Sequence, residues 1–221
     1  MRYFLGLGFG LFVLVSGGRA SAQEAPRARP FEIGVSSGYS AVGLGSRLSY
    51  ADIDSLWEVP LLIDVGYRVS KHFSVGAYGE VGFIDSTSDS VEDAEESLDG
   101  HHYRLGVEAI YHSAPERHVQ PWLGVGLGYD TLRLNYHFRS TFPPFGNEPP
   151  DPGSSTPIRA SGFELGHVQL GIDFALVPWL SFGPYVGASV VDYSKRRGFA
   201  EPSEDDFSVW STIALKATLR L

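Results

Sequence analysis

The sequence predicts an all-β protein, an eight-stranded antiparallel up-and-down transmembrane β-barrel. Strand-length segments alternate apolar and polar residues, and the segments between them alternate between short and long. After the first residues, no apolar run is long enough for a membrane-spanning helix. The stretch from Trp57 to Ile84 shows the alternation most clearly. Because successive side chains of a strand point to opposite faces, one face is apolar and the other carries charges and glycines.

The first residues are typical of a secretion signal. Arg2 precedes a short apolar run that ends in the small-residue sequence Ala20-Ser21-Ala22. The run is shorter than the roughly 20 residues that a spanning helix needs, although an uncleaved anchor helix is the alternative. We therefore predict a signal peptide over residues 1–22 cleaved after Ala22, a polar periplasmic lead over 23–30, and a barrel domain over 31–221.

Eight segments carry the alternation in order. The first strand sets Phe31, Ile33 and Val35 against Glu32, and a hairpin with a turn at 70–72 follows. The later strands repeat this split. The predicted strands are 31–42, 57–69, 73–84, 101–112, 119 to about 138, 161–176, 180–193 and 207–221.

The alternation changes phase at two places. Near Leu165 the apolar residues switch parity, which predicts a β-bulge. After Thr131, in "LRLNYHF", the parity is confused, which predicts either a bulge or an extension beyond the membrane.

The segments between strands indicate the orientation. Short turns follow strands two, four and six, whereas longer polar loops follow the odd-numbered strands. These loops include an acidic segment at 85–100 and a proline-rich one at 139–160. Short periplasmic turns and longer outside loops are typical of bacterial outer-membrane barrels, so both ends of the barrel domain are predicted on the periplasmic side.

Composition excludes several classes of function. The formal net charge of −9 argues against nucleic acid as a partner, since phosphate binding favours a basic surface. The sequence has no Cys, and its seven His form no metal-ligand motif. We predict no metal, no cofactor and no catalytic residue.

The polar face decides between a membrane barrel and a soluble lipocalin-type barrel, whose apolar face is inside. Its charges have both signs and alternate with glycines, which suits the narrow interior of an eight-stranded membrane barrel. Since buried charges must be paired, a salt-bridged plug is favoured over an ion or proton path. The predicted interior network comprises Glu32, Glu58, Asp64, Arg68, Glu80, Arg104, Glu108, Asp130, Asp173, Lys216 and Arg220.

The aromatic residues of the apolar face support this choice. They cluster at two levels, as expected for the two membrane interfaces. Trp57, Phe83, Tyr103, Tyr129 and Phe207 are predicted at the loop end, and Tyr67, Phe73, Tyr111, Phe174 and Phe182 at the turn end.

In strand pattern, loop asymmetry and signal peptide, the chain resembles the small eight-stranded outer-membrane proteins of Gram-negative bacteria, the OmpA/OmpX-like, porin-like group. The resemblance implies an outer-membrane location and contact with lipid, lipopolysaccharide and the outer-membrane assembly machinery. Such proteins usually end in an aromatic residue that this machinery reads, whereas this sequence ends in Leu221.

These observations favour a non-enzymatic barrel, present as a monomer, with a structural or surface-interaction role in its outer loops. The alternatives are a narrow channel for small or apolar solutes and a lipid A-modifying enzyme. For the enzyme, His112-Ser113 lies at a turn, away from the outer leaflet. Lys195, Arg196 and Arg197 lie at the outer rim, where they would contact lipopolysaccharide phosphates or only solvent.

Overall fold

The computed structural model describes residues 29–42, 56–91, 94–140, 155–197 and 207–221. They form a closed barrel in which each strand pairs antiparallel with its neighbours in sequence and β1 pairs with β8, which confirms the predicted fold class. The strands are β1 Phe31–Val42, β2 Trp57–Arg68, β3 Phe73–Val91, β4 Ala94–His112, β5 Val119–Ser140, β6 Ser155–Val177, β7 Leu180–Arg197 and β8 Phe207–Arg220.

Several predicted segments fall elsewhere in the chain. The signal peptide, most of the lead, and the residues at 43–55, 92–93, 141–154 and 198–206 lie outside the described residues. Within the described part, no helix is long and apolar enough to cross a membrane.

The alternation of the sequence becomes the two faces of the barrel wall. In β2, Leu61 and Ile63 are 43% and 49% exposed on the outside, whereas Glu58 and Asp64 of the same strand are 2% and 4% exposed inside. Large apolar side chains are exposed on every strand. An apolar exterior around a polar interior is the arrangement that lipid requires, and it is the reverse of a lipocalin-type barrel.

The ten predicted interface aromatics all lie on the outer surface and are exposed. Phe73 is directly opposite Tyr111, and Phe174 is directly opposite Phe182, at the end with the short connections 69–72, 113–118 and 178–179. We call this end the turn end and the opposite one the loop end. The two levels of aromatics therefore mark two boundaries of the lipid-facing surface.

The acidic segment at 85–100 was predicted as a loop, and this prediction is wrong. β3 continues to Val91 and β4 starts at Ala94, with Asp85 opposite Asp99 and Ser88 opposite Glu96. The backbone hydrogen bonds of an antiparallel pair do not require apolar side chains, so the hairpin can continue beyond the lipid-facing part.

Other strands also differ from their predicted bounds. Residues 155–160 belong to β6 and residues 194–197 belong to β7, although both segments were predicted in loops. β2 and β8 each end one residue earlier than predicted, at Arg68 and Arg220. The barrel wall at the loop end is therefore taller than the alternation of apolar residues indicates.

The bulge predicted near Leu165 is confirmed, because the pairing of β6 with β7 shifts between Glu164 and Gly166. No bulge occurs at Thr131, which pairs in regular register with Tyr103 and Ser161. The other predicted possibility, an extension beyond the membrane, is correct. Beyond Thr131, β5 extends past the lipid-facing surface, and its apolar side chains face inward.

An apolar cluster fills the loop end of the barrel. Leu132, Val191 and Trp210 in it are fully buried. Its members are Leu56, Ile84, Leu132, Leu134, Ile158, Ala160, Val191, Tyr193 and Trp210. We call these residues the apolar layer. Charged side chains lie between this layer and the turn end, around a smaller apolar cluster of Ile110, Trp122, Tyr185 and Ala214.

Candidate functional site: the charged interior

The charges nearest the turn end centre on Glu32, which lies directly opposite Arg220 across the pairing of β1 with β8. Arg68 Nη2 donates to Glu32 Oε1 at 2.5 Å, and Arg220 Nε donates to the same oxygen at 3.2 Å. Arg220 also donates to Gln120 Oε1 at 2.6 Å. One carboxylate thus holds three strands together at this end.

The next level pairs Asp64 with Lys216 at 2.8 Å. The Lys216 ammonium also lies 5.3 Å from the centre of the Trp122 ring, within range of a cation–π contact. Trp122 Nε1 in turn donates to Asp173 Oδ1 at 2.9 Å, and Ser181 donates to the other oxygen of Asp173. The indole fits because Gly171 lies beside it, where a Cβ would collide with the ring.

The middle of the interior is built around Tyr78. Its hydroxyl donates to Glu164 Oε2, and its oxygen lies 3.1 Å from His167 Nδ1. His167 Nε2 lies 3.7 Å from Glu108 Oε2. The bulge at Leu165 turns Glu164 inward, because it reverses the parity of β6.

The level below the apolar layer is a row of charges across three strands. Glu80, Arg104 and Asp130 lie directly opposite one another in register. Arg104 approaches Glu80 Oε1 and Asp130 Oδ2 at 3.3 Å each, and Glu164 Oε1 at 3.5 Å.

His102 completes this level. Its Nδ1 lies 2.8 Å from Glu58 Oε2, and its Nε2 lies 2.6 Å from Asp130 Oδ2. Carboxylates only accept hydrogen bonds, so both contacts are satisfied together when both ring nitrogens carry a proton. The ring stacks on Trp210 with centroids 4.4 Å apart, which joins the charges to the apolar layer.

The structure places all eleven residues named from the sequence on the inner face. Ten are buried, and the side chain of Arg68 is 16% exposed. Sequence reasoning left His102, His112, Glu164 and Tyr78 out of the network. The parity of β4, which predicted Arg104 and Glu108 inside, also puts His102 inside, so that residue could have been found.

The interior holds more acids than permanent cations. Among the described residues, the buried carboxylates are Glu32, Glu58, Asp64, Glu80, Glu108, Asp130, Glu164 and Asp173. The permanent cations facing them are Arg68, Arg104, Lys216 and Arg220. The carboxylates in excess are stabilised by hydrogen-bond donors such as Tyr78 and Trp122, and by the histidines.

One group in the network has the composition of a metal site. Glu58, Glu80 and His102 each offer a ligand-type atom within 4.8 Å of the others. Glu80 is paired with Arg104, however, and Glu58 with His102. We therefore assign these residues to the ion-pair network and not to a metal.

The predicted rim residues lie at the loop end of β7. Lys195 and Arg197 are exposed, whereas the side chain of Arg196 is outside the described part of the molecule. Lys195 lies opposite Ser161 and Arg197 opposite Arg159. Of the described side chains, those of Lys195 and Arg197 take no part in the interior network.

Known proteins with this architecture resemble the chain in fold but have low sequence identity to it. No curated protein sequence matches the chain significantly. Among solved structures, the chain is similar to Neisserial surface protein A, with a TM-score of 0.52 and 14% identity over 86% of this chain and 97% of that one. It is also similar to the outer membrane protein OprG from Pseudomonas aeruginosa, with a TM-score of 0.46 and 14% identity over 87% and 97% of the two chains.

A third similar structure is Ail of Yersinia pestis, with a TM-score of 0.43 and 14% identity over 87% of this chain and 99% of that one. A family model described as the outer membrane protein beta-barrel domain matches residues 10–209. With its closed eight-stranded barrel and apolar exterior, the chain belongs to the outer membrane protein beta-barrel domain family, and its location is the bacterial outer membrane.

Proposed function

We propose that the protein is a non-enzymatic outer-membrane barrel with a closed interior, which serves envelope integrity or surface interaction through its extracellular segments. The observation that carries this proposal is the filling of the interior by two successive layers. Charged side chains linked by ion pairs and hydrogen bonds occupy the turn end and the middle, and the apolar layer covers the loop end. An ion crossing the barrel would have to separate ion pairs and then pass apolar side chains, and both steps are costly.

The alternative is a narrow passage for small solutes. Among the described residues, two cavities of about 20 Å³ each lie inside the barrel, one near Asp64 and Lys216 and one near Glu80 and Arg104. Each has room for about one water molecule. Cavities of this size favour a closed interior over a passage.

The enzyme alternative gains no support from the positions of His112 and Ser113. His112 is buried inside the barrel, with its Nε2 3.4 Å from Ser74 Oγ. Ser113 donates its hydroxyl proton to the carbonyl of Pro121 at 3.1 Å, at the turn end. Neither residue is placed to meet a lipid of the outer leaflet.

Planar-bilayer recording of the purified protein tests the proposal. We expect no discrete openings, and reproducible single-channel steps would favour the passage instead. A mobility difference between heated and unheated samples on a gel must first show that the recorded protein is a folded barrel. Loss of acyl chains from lipid A on expression, compared with an empty vector, would point to the enzyme.

We also propose that the protein is a monomer that contacts outer-leaflet lipid and lipopolysaccharide, and that the outer-membrane assembly machinery inserts it. Lys195 and Arg197 support the lipopolysaccharide contact, because both are exposed at the loop end. With short connections on the periplasmic side, the loop end faces outward.

A further inference from the structure

The outward side chains of β4 to β7 change in character toward the loop end. Tyr129 and Phe163 form the last aromatic pair of the lipid-facing surface, with ring centroids 5.5 Å apart. The next row in register is Tyr103, Thr131, Ser161 and Lys195. The row after that is His101, Arg133, Arg159 and Arg197, which we call the basic row.

The basic row crosses four adjacent strands without a gap. Arg133 is directly opposite Arg159, and Arg159 is directly opposite Arg197. Directly opposite side chains on one face have Cβ atoms about 5 Å apart. All four side chains of the row are exposed on the outer surface.

Such a row is unfavourable without a partner, because like charges directly opposite each other destabilise a sheet. The protein as a whole has a formal net charge of −9, so three adjacent arginines form a local positive cluster on a negatively charged protein. Within the described residues, neither Arg133, Arg159 nor Arg197 forms an ion pair with a carboxylate. No described carboxylate therefore neutralises these three guanidinium groups.

The position of the row identifies the kind of anion. Arg133 and Arg159 lie four residues beyond the Tyr129–Phe163 pair, which is about 13 Å along the strand and roughly 10 Å along the membrane normal for a tilted strand. The Arg133 guanidinium lies 5.9 Å from the centre of the Tyr103 ring, which belongs to the row nearer the membrane. A long side chain can thus reach from this row to the headgroup level, where tyrosines of the interface lie.

We propose that the basic row, together with Lys195, binds the phosphate groups of lipopolysaccharide, the phosphorylated lipid of the outer leaflet. This inference rests on the proposed outward orientation of the loop end and replaces a single rim contact with a site across four strands. Guanidinium groups bind phosphate oxygens in a two-pronged geometry, and a row of them suits a headgroup with more than one phosphate. Bound phosphates would also relieve the repulsion between the arginines.

The test compares binding of purified lipopolysaccharide by wild type and by Arg133→Gln/Arg159→Gln/Arg197→Gln, both refolded in phosphatidylcholine vesicles. The matched control is Arg29→Gln/Lys71→Gln/Arg117→Gln, which removes three exposed positive charges at the turn end. We expect the first variant to bind at least ten-fold more weakly and the control to bind like wild type. Lipopolysaccharide stripped of its phosphates should bind wild type as weakly as intact material binds the first variant.

Equal binding by all three proteins would overturn the proposal, as would unchanged binding of the dephosphorylated lipid. Equally tight binding of wild type to phosphatidylglycerol vesicles would show general attraction to anionic lipid instead of a lipopolysaccharide site. The gel mobility difference reports barrel folding for each protein, and the single variant Arg159→Gln serves if the triple variant does not fold. Single-channel conductance would contradict the proposed closed interior, but it would not change the outcome of this binding test.

Discussion

Among single residues, His102 connects distant parts of the interior. It bridges Glu58 on β2 and Asp130 on β5, and its ring lies against Trp210 on β8. Its side chain is fully buried, as are those of both carboxylates. Removing the imidazole therefore leaves two acids without their shared partner in a place that water enters poorly.

Replacing His102 with Ala should lower the free energy of unfolding by about 3–5 kcal/mol, the usual cost of removing one partner from a buried ion pair. Urea unfolding of the protein refolded in lipid vesicles, followed by tryptophan fluorescence, measures this loss. His101→Ala removes the adjacent but outward-facing ring and should change stability by less than about 0.5 kcal/mol. Similar losses in the two variants would contradict the bridging role.

The positions of the strands could be predicted from the sequence wherever contact with lipid requires apolar and polar residues to alternate. All eight strands exist, and β1 has the predicted bounds of Phe31–Val42. The errors lie beyond the aromatic rows, as in the acidic hairpin. There the outer face of the wall no longer meets lipid, so nothing forces apolar residues onto it, and acidic strands resemble a loop.

The extension of β3 and β4 leads to a prediction about folding. Replacing residues 86–98 with Asn-Gly should leave a folded barrel, because the pairs from Phe73–Tyr111 to Ile84–Gly100 remain and Asn-Gly closes a tight hairpin. The gel mobility difference and membrane fractionation should match wild type. A stability loss greater than about 2 kcal/mol would mean that the extension supports the barrel.

A deeper deletion is the matched control for this shortening. Joining β3 to β4 between Gly79 and Leu105 removes Glu80 and Arg104 as well as lipid-facing pairs. This variant should show no mobility difference, since it loses both the row of charges and membrane-spanning length.

For the molecule as a whole, the balance of buried charge matters more than any one pair. The described interior has eight buried carboxylates and four arginine or lysine side chains to face them. Removing a cation enlarges the excess of negative charge, whereas removing an acid reduces it. The two members of one ion pair should therefore not be equivalent.

Arg104 and Glu80 test this asymmetry, since they face each other in one pair. Arg104→Gln should destabilise the barrel by about 3–5 kcal/mol, because it leaves several carboxylates without a counter-charge. Glu80→Gln keeps the shape of the side chain and should cost clearly less. Unfolding in urea at neutral pH gives both values, and equal losses would contradict the argument from overall balance.

The interior network could be predicted in part. Parity along each strand told which charged residues face inward, from Glu32 to Arg220. The pairings could not be derived, because they depend on how far neighbouring strands are shifted against each other. Glu164 shows this dependence, since a single extra residue in β6 turns it toward Tyr78 and Arg104.

The pairing of β1 with β8 also bears on how molecules meet in the membrane. It continues from Glu32–Arg220 to Val42–Trp210, so the first and last strands are as fully paired as any others. The spanning wall therefore presents no row of free backbone donors and acceptors to a second copy. Neighbouring molecules in a crowded membrane would contact each other through apolar side chains. Lipid makes equally favourable contacts with these side chains, so association would bring little stabilisation.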